Sequence, residues 1–185
     1  MSYTIVKRLC DIILSAMVLL VLTPFLFILC TWHWFYGNVF FTQERIGRHG
    51  KFFKIIKFKT MSDGHVTKIG RYLRRYKIDE LPQFINIMKG EMSVVGPRPD
   101  LPGYYDRLSG KYRDILCLRP GLTSLAALKY SREEYLLENQ LNPLEFNDKI
   151  IFPDKVRLNY EYLNKQSFFY DLKILLATLH RLMKP

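Results

Sequence analysis

Two adjacent carboxylates in the middle of the chain, Asp79 and Glu80, are the residues best suited to chemistry. They follow a group of basic side chains: Arg71, Arg74, Arg75 and Lys77. A carboxylate can attack phosphorus and form an acyl phosphate, and Mg²⁺ typically takes one or two carboxylates plus substrate phosphates. Neighbouring cations would offset the repulsion between these carboxylates and a phosphate. The pattern therefore predicts a phosphoryl-transfer site, while a pair that merely complements a helix dipole and forms ion pairs remains the alternative.

Two arginines lie in short loops that proline makes stiff. Arg98 stands between Pro97 and Pro99, and Arg119 precedes Pro120. Proline restricts the backbone, so each guanidinium can be held in place with little loss of entropy. A fixed guanidinium suits bidentate recognition of phosphate, so the two arginines are predicted to bind phosphate.

The positive charge is concentrated in one window of the sequence. The chain has 185 residues and a formal net charge of +11, and residues 45–77 carry eleven Lys or Arg against Asp63 alone. Such a window needs negative charge from outside: phosphates, nucleic acid or an anionic lipid surface. Basic residues interleaved with phenylalanine over 45–59 are compatible with nucleic-acid binding. A neighbouring apolar segment favours anionic lipid headgroups instead.

The apolar segment, Ile12–Tyr36, contains 25 residues without a full charge. A helix of this length could cross a bilayer, whose core is about 30 Å thick. Basic residues flank both ends, however, and the positive-inside rule would place both on the cytoplasmic side. Pro24 predicts a kink, and Thr23 could satisfy a carbonyl that the kink frees. We therefore expect a re-entrant helix; a straight span, a signal peptide and a buried core helix are the alternatives.

Hydrophobic periodicity predicts several further elements. Residues 38–41 and 52–60 are expected to be extended, and 61–67 to be a polar loop. Helices are predicted over 68–76, 81–89, 104–116, 132–139, 154–163 and 170–182. The helix at 81–89 would bury Leu81, Phe84, Ile85 and Met88, and the last helix is amphipathic with leucines along one side. Cys10, Cys30 and Cys117 show no metal-binding spacing and are predicted to be reduced and mostly buried.

Taken together, several motifs resemble one known family across nearly the whole chain. They occur in the family's order: KRLCD (7–11), Thr23-Pro24, FTQERIGRHGKFFKIIKFKTM (41–61), GRYLRRYKIDELPQFINIMKGEMSVVGPRP (70–99), RPGLT (119–123) and DLKILL (171–176). The chain resembles the small monotopic phosphoglycosyl transferases, a bacterial sugar-transferase family that begins lipid-linked glycan assembly.

The resemblance implies a fold and a location. The fold class would be α+β and mainly helical, with a re-entrant membrane helix at residues 1–37 and a catalytic domain at residues 38–185. Amphipathic interfacial helices would hold the catalytic domain on the cytoplasmic face of the bacterial inner membrane. Thr23 and Pro24 would correspond to the family's helix-breaking Ser-Pro.

The resemblance also implies an activity. Family members transfer a sugar 1-phosphate from a nucleoside diphosphate sugar, usually a UDP-sugar, to a polyprenol phosphate such as undecaprenyl phosphate, and they need Mg²⁺. Asp79 would be the nucleophile that forms an aspartyl-phosphosugar, and Glu80 its metal-linked partner, with both carboxylates at the metal. The phosphate-binding residues would be Lys59, Arg74, Arg98 and Arg119. Anionic membrane lipids are expected partners, and nucleic acid is not.

The chain departs from the family pattern at three positions. Ser124 and Ala127 stand where the family often has Gly and Gln, and Asn159 stands where it usually has Asp. These departures bear on substrate contacts and on the sugar that is used. A non-catalytic basic adaptor that binds anionic lipid at the membrane surface is the alternative function, and it would have no need of Asp79 and Glu80.

Overall fold

The computed structural model describes residues 3–36 and 38–183, which form a mainly helical α+β structure, as predicted. The boundary predicted at residue 37 lies outside the described residues. The helices are α1 Tyr3–Tyr36, α2 Lys68–Arg75, α3 Gln83–Lys89, α4 Leu125–Lys129, α5 Glu133–Glu138, α6 Pro143–Phe146, α7 Phe152–Lys165 and α8 Phe168–Met183. The strands are β1 Phe40–Ile46, β2 Phe52–Phe58, β3 Met61–Ser62, β4 His65–Val66, β5 Ser93–Val95 and β6 Gly121–Thr123.

Helix α1 is long and apolar, and it is assigned as helical through Pro24. The hydroxyl of Thr23 donates to the carbonyl of Leu19 at 2.8 Å. Proline at position 24 has no backbone donor for the carbonyl of Leu20. The prediction that Thr23 satisfies this freed carbonyl is wrong, because the hydroxyl bonds to the carbonyl of Leu19 instead. The segment Tyr3–Ile28 is long and apolar enough to cross a membrane, and only 11% of its apolar window is buried. Length and composition are shared by straight spans, re-entrant helices and signal sequences. The re-entrant geometry therefore stays a prediction.

The first half of α1 packs against the rest of the protein. Leu14, Val18 and Leu19 lie against the main core, and the buried carboxylate of Asp11 accepts a hydrogen bond from the backbone nitrogen of Val94 at 3.0 Å. Arg8 donates to the carbonyls at the end of α3. Helix α1 is therefore attached to the folded domain through its N-terminal half.

Asp171 connects the start of α1 to the two C-terminal helices. Its carboxylate accepts hydrogen bonds from Tyr3 and Lys7 of α1 and from Tyr162 of α7. Asp171 itself lies in the first turn of α8, where a carboxylate also complements the helix dipole. One acidic side chain thus holds the N-terminal ends of α1 and α8 together.

An antiparallel hairpin, β1–β2, leads from α1 into the domain. Phe40 pairs with Phe58 and Ile46 with Phe52. The side chain of Asn86 on α3, which is fully buried, fixes the hairpin to that helix. Its oxygen accepts from the nitrogen of Ile56, and its amide donates to the carbonyl of Lys54. The hairpin is therefore held rigidly beside α3.

Parallel strands β5 and β6 position the two Pro-Arg loops. Ser93 pairs with Gly121 and Val95 with Thr123. Gly96 and Gly121 approach so closely that a Cβ on Gly121 would lie 2.1 Å from the nitrogen of Gly96. No other residue type fits at Gly121 without a backbone shift, since real Cβ atoms do not come that close. The start of the loop that carries Arg98 is therefore fixed beside the end of the loop that carries Arg119.

Some predicted elements are confirmed and others are wrong. The strand over 52–60 and the helices over 68–76, 132–139, 154–163 and 170–182 are confirmed to within a few residues. Residues 61–67 are not a simple loop but a small hairpin, because Asp63 and Gly64 adopt positive φ and turn the chain. Residues 104–116 are not an α-helix; they form two 3₁₀ segments, interrupted where Gly110 takes a positive φ.

The buried faces also differ in part from the predictions. On α3 the buried apolar residues are Phe84 and Ile87, whereas Met88 is exposed, because the polar side chain of Asn86 takes part of the inner face. Cys10 and Cys117 are exposed, contrary to the prediction that the thiols would be mostly buried. The side chain of Cys30 lies outside the described residues.

Helix α8 turns several of its leucines outward. Ile174 is buried, and Thr178 shares a hydrogen bond with Thr123 of β6. The helix is amphipathic as predicted, but its leucines are divided between the domain and the exterior, since Leu175 packs against the core. The exposed leucines are Leu172, Leu176 and Leu179.

Candidate active site

A cleft of about 990 Å³ is lined by residues from several elements. The β1–β2 hairpin, the β3–β4 hairpin and α2 contribute one group of lining residues, and the beginning of α5 and the end of α8 contribute another. Asp79 and Glu80 both line it. Basic side chains outnumber acidic ones around the cleft; they are Lys57, Lys59, Arg71, Arg74, Arg75, Lys77, Arg98, Arg132 and Arg181. A cationic cleft of this kind attracts a ligand with several negative charges, such as a diphosphate.

A strained turn presents Asp79 to the cleft. Lys77 has φ 55° and ψ 22°, the left-handed conformation that non-glycine residues seldom adopt, and a 3₁₀ turn follows at Ile78–Glu80. Asp79 is buried, and its Oδ1 atom has no hydrogen-bond partner within the protein. A buried polar atom without a partner is costly, so such groups often have a catalytic or ligand-binding role. Asp79 therefore has one carboxylate oxygen free for chemistry.

Glu80, in contrast, is held by cations. Its Oε1 atom accepts from Lys57 Nζ at 3.0 Å and from Arg98 Nη2 at 2.6 Å. Lys57 comes from β2, and Arg98 comes from the loop after β5, so Glu80 ties together two parts of the cleft wall. The Glu80 side chain is buried, which strengthens these charge-assisted bonds.

The two carboxyl groups are shifted in opposite directions. Burial raises the pKa of Asp79, and the neighbouring charge of Glu80 raises it further. Burial also opposes ionisation of Glu80, but Arg98, Lys57 and Lys77 outweigh it and hold the pKa of Glu80 well below its usual range. Adjacent titratable groups whose environments separate their pKa values are typical of active sites that divide roles between two carboxylates.

The Glu80→Gln substitution is expected to destabilise the fold at neutral pH. A depressed pKa means that Glu80 contributes stability above its unfolded-state pKa, and that this contribution is lost as pH falls through the folded-state value. Glutamine removes the negative charge from both contacts. The expected cost is about 2 kcal/mol, in the lower part of the range for hydrogen bonds to charged groups, because the Arg98 side chain is 38% exposed. Denaturant titrations measure the free energy of unfolding of the two proteins, and the difference between them should be present at pH 7 and should narrow below about pH 4. Equal stability of the two proteins at pH 7 would contradict this role.

Most of the predicted site residues lie around this one cleft, but not all do. Lys59, Arg74 and Arg98 line it with the two carboxylates, and Arg74 is fixed by donating to the hydroxyl of Thr60. Arg119 is not part of the lining; its Nε donates to the carbonyl of Gly90 behind the Pro-Arg loops. Thr23 lies far along α1 and is not part of the lining either.

The three departures from the family pattern also lie outside the cleft lining. Ser124 caps α4 by accepting from the nitrogen of Ala127. Asn159 is buried on α7, and its amide donates to the hydroxyl of Tyr105. These residues therefore act on the scaffold rather than by lining the cleft.

Sequence reasoning missed several residues of the cleft. The sequence indicates Lys57 only as part of a basic window, whereas its strand places it against Glu80. No sequence pattern singles out Arg132 or Arg181, because they join the cleft only through tertiary folding. The one available signal was an exposed arginine at the end of an amphipathic helix, which is too common to be diagnostic.

The two carboxylates suit a metal ion that is coordinated by the protein and the substrate together, not by protein side chains alone. The described residues contain no group of three or more His, Cys, Asp or Glu side chains that could hold a metal. The unpartnered Oδ1 of Asp79 is, however, an oxygen ligand of the kind that Mg²⁺ accepts. Because Mg²⁺ keeps waters and substrate phosphates as ligands, the pair fits an ion that arrives with a diphosphate.

Residues 2–185 match the family described as bacterial sugar transferase. The chain belongs to this family. It is 36% identical to an uncharacterized sugar transferase, EpsL, of Bacillus subtilis, over 78% of this chain and 70% of that protein. It is 34% identical to the Escherichia coli UDP-glucose:undecaprenyl-phosphate glucose-1-phosphate transferase, over 96% of this chain.

A third relative has a related name. The Salmonella typhimurium undecaprenyl-phosphate galactose phosphotransferase is 30% identical over 67% of this chain. The present chain covers only 40% of the length of the E. coli protein and 32% of the length of the Salmonella protein. The predicted family is confirmed, and the apolar helix α1 is consistent with the membrane association expected of it.

Proposed function

We propose that this bacterial sugar transferase moves a sugar 1-phosphate from a nucleoside diphosphate sugar, a UDP-sugar in particular, to a polyprenol phosphate such as undecaprenyl phosphate. The observation that carries the proposal is the buried Asp79 with an unpartnered oxygen, beside a cation-held Glu80, in a strongly basic cleft. The E. coli relative is a UDP-glucose:undecaprenyl-phosphate transferase by name and the Salmonella relative an undecaprenyl-phosphate galactose phosphotransferase, and these names support the same class of donor and acceptor.

The proposed reaction has two displacement steps. A carboxylate oxygen of Asp79 attacks the phosphorus that bears the sugar, and the bond to the second phosphate breaks. The nucleoside monophosphate leaves with that electron pair, and an aspartyl-phosphosugar remains. A phosphate oxygen of the polyprenol phosphate then attacks the acyl phosphate, which forms the lipid diphosphate sugar and frees the Asp79 carboxylate.

The surrounding cations have separate tasks in this scheme. Arg98 and Lys57 keep Glu80 ionised and fixed. Lys59 and Arg74 line the cleft where they can stabilise charge that develops on the phosphates. Mg²⁺, held by Asp79 and Glu80 together with the diphosphate, would polarise the phosphoryl oxygens. Arg119 is proposed to bind phosphate only if the Gly90 contact is released.

The direct test of this function is release of a nucleoside monophosphate. Purified protein is mixed with undecaprenyl phosphate and a panel of UDP-sugars, and the nucleotide and lipid products are measured. One UDP-sugar should give UMP and a lipid diphosphate sugar in equal amounts. Vesicle binding without release from any donor would favour the alternative, a basic adaptor at the membrane surface.

The location proposed for the protein is the cytoplasmic face of the bacterial inner membrane, with α1 re-entrant. Two contacts support this arrangement. Arg8, near the start of α1, donates a hydrogen bond to the carbonyl of Ile87 in α3. Shortly after the end of α1, the carbonyl of Val39 accepts a hydrogen bond from the backbone nitrogen of Lys59. Both flanks of the apolar segment are therefore bound to one domain. A re-entrant helix keeps them on one side of the bilayer.

Cysteine labelling in intact cells tests this topology. In a background without native cysteines, single cysteines at positions 4 and 48 should both be protected from an impermeant thiol reagent until the membrane is permeabilised. The Pro24→Leu substitution restores a helix hydrogen bond, so it should shift position 4 toward the outside. External labelling of position 4 in the unsubstituted helix would contradict the re-entrant arrangement.

A further inference from the structure

Two helices that begin at the same carboxylate expose apolar stripes. On α1 the stripe has a spacing of three to four residues, and α8 carries a similar one. The exposed residues are Ile5, Leu9, Ile13, Met17 and Leu20 on α1, and Leu172, Leu176, Leu179 and Met183 on α8. Because Asp171 joins the starts of both helices, the stripes are parts of one attached structure. Such stripes suit contact with the apolar part of a lipid surface.

The C-terminal end of α8 reaches the cleft. Arg181 and Leu182 are lining residues of the cleft that contains Asp79, whereas Leu179 and Met183 on the same turns are exposed. Arg132, at the start of α5, belongs to the same lining. A lipid-facing helix therefore ends where two cations and a leucine meet the catalytic cleft.

Within the described part of the chain, no ion pair accounts for these two arginines. Among the ion pairs of residues 3–36 and 38–183, neither Arg132 nor Arg181 takes part. A favourable interaction with the helix dipole at the end of α8 needs only one cation, and it does not account for Arg132. Arg98 and Lys57, by contrast, are committed to Glu80.

We propose that Arg181 and Arg132 capture the phosphate of the lipid acceptor where it enters the cleft from the membrane surface at the end of α8. The inference rests on the proposed function and names the acceptor part of its site. The ligand is a prenyl phosphate monoester: its chain would follow the apolar stripe of α8 past Leu182, and its phosphate would lie between the two guanidinium groups. Arginine suits this task because its planar donors match phosphate oxygens.

Binding can be tested without any sugar donor. Neutral phosphatidylcholine vesicles containing a small fraction of undecaprenyl phosphate are titrated with the protein, in parallel with vesicles containing the same fraction of undecaprenol or of phosphatidylglycerol. The unsubstituted protein should prefer the undecaprenyl phosphate vesicles. Arg181→Ala and Arg132→Ala should each weaken that binding by about 10-fold, the loss typical of one charge-assisted contact. Lys173→Ala, which removes an exposed charge from the same helix, is the matched control and should bind normally.

Three outcomes of the binding test would overturn the inference. They are equal binding to undecaprenol and its phosphate, an equal loss with phosphatidylglycerol vesicles, and normal binding by both arginine variants. The Arg181→Lys variant distinguishes loss of the phosphate contact from loss of the fold. It keeps the positive charge, so it should recover part of the binding that Arg181→Ala loses.

Kinetics give the second readout. In the arginine variants the KM for undecaprenyl phosphate should rise by about 10-fold, with the KM for the UDP-sugar unchanged. The first release of UMP, measured without acceptor, should also be unchanged, because Asp79 is intact. A rise in the donor KM instead would assign these arginines to the donor. Absence of transfer with every donor would refute the proposed function, while the vesicle measurements would still decide the binding inference.

Discussion

Replacing Asp79 by Asn is expected to lower turnover by at least about 10³-fold, the scale on which covalent catalysts matter. Asparagine keeps the size of the side chain but loses the anionic nucleophile. No protein donor neutralises the Oδ1 atom of Asp79, so the negative charge that asparagine removes is not already committed to a hydrogen bond at that atom. Initial-rate kinetics with varied donor and acceptor concentrations measure the loss of turnover. For the unsubstituted protein, double-reciprocal plots should give parallel lines, which indicate a ping-pong mechanism.

The intermediate can be captured when the acceptor is withheld. Mass spectrometry of the unsubstituted protein should then find one added sugar phosphate on the peptide that contains Asp79, and none in Asp79→Asn. Near-normal turnover of Asp79→Asn, or kinetics that require both substrates bound together, would replace the covalent scheme with direct transfer. Asp79 would then be a metal ligand or a carboxylate at the start of a 3₁₀ turn.

The same substitution should stabilise the protein while it removes activity. The pKa of Asp79 is raised by burial and by Glu80, so the folded state holds the proton more tightly than the unfolded state does. Stability from this group is present at low pH and is lost as pH rises through the raised pKa, so the ionised carboxylate costs stability at pH 7. Asp79→Asn should raise Tm by a few degrees at pH 7 and not in acid. A lower Tm at pH 7 would show that Asp79 is a structural partner.

The raised pKa also sets the expected pH profile. The nucleophile is the anionic form, so kcat/KM should fall as pH drops through the pKa of Asp79 in the free protein. The acidic limb should therefore lie above the range of an ordinary aspartate. A limb at or below that range would mean that bound cations fully offset burial in solution.

The candidate site shows what sequence patterns can predict. Asp79 and Glu80 are adjacent in the chain, so their proximity needs no tertiary information. The rigid loop around Arg98 follows from local proline chemistry in the same way. By contrast, the partners that separate the roles of the two carboxylates, Lys57 and Arg98, come from different elements and meet only in the folded domain.

The errors in the fold have a similar cause. The two 3₁₀ segments over 104–116 share apolar spacing with an α-helix, and the second begins at Gly110, whose positive φ hydrophobic spacing does not reveal. Met88 was expected inside, but the buried amide of Asn86 bonds to β2 and turns α3 accordingly. A polar residue that serves the scaffold cannot be recognised from hydrophobic periodicity.

The second large effect expected is complete loss of transfer in excess EDTA, with recovery when Mg²⁺ is restored. The described residues offer no cluster of three metal-binding side chains, so in the proposed scheme the diphosphate would supply much of the coordination. The metal should therefore bind weakly to the protein alone and tightly in the presence of the UDP-sugar. Electron paramagnetic resonance with Mn²⁺ as a substitute for Mg²⁺ measures both affinities directly.

The carboxylate variants make this experiment specific to the site. Asp79→Asn should weaken Mn²⁺ binding in the presence of the donor, because a neutral amide with one oxygen replaces an anionic carboxylate whose Oδ1 atom has no protein partner. Glu80→Gln should weaken it less, since Oε1 of Glu80 is already taken by Lys57 and Arg98. Lys173→Ala on α8, outside the cleft lining, is the control and should bind Mn²⁺ normally. Full transfer in excess EDTA would refute the metal assignment. The cations around the cleft would then be the sole source of positive charge for the departing phosphate.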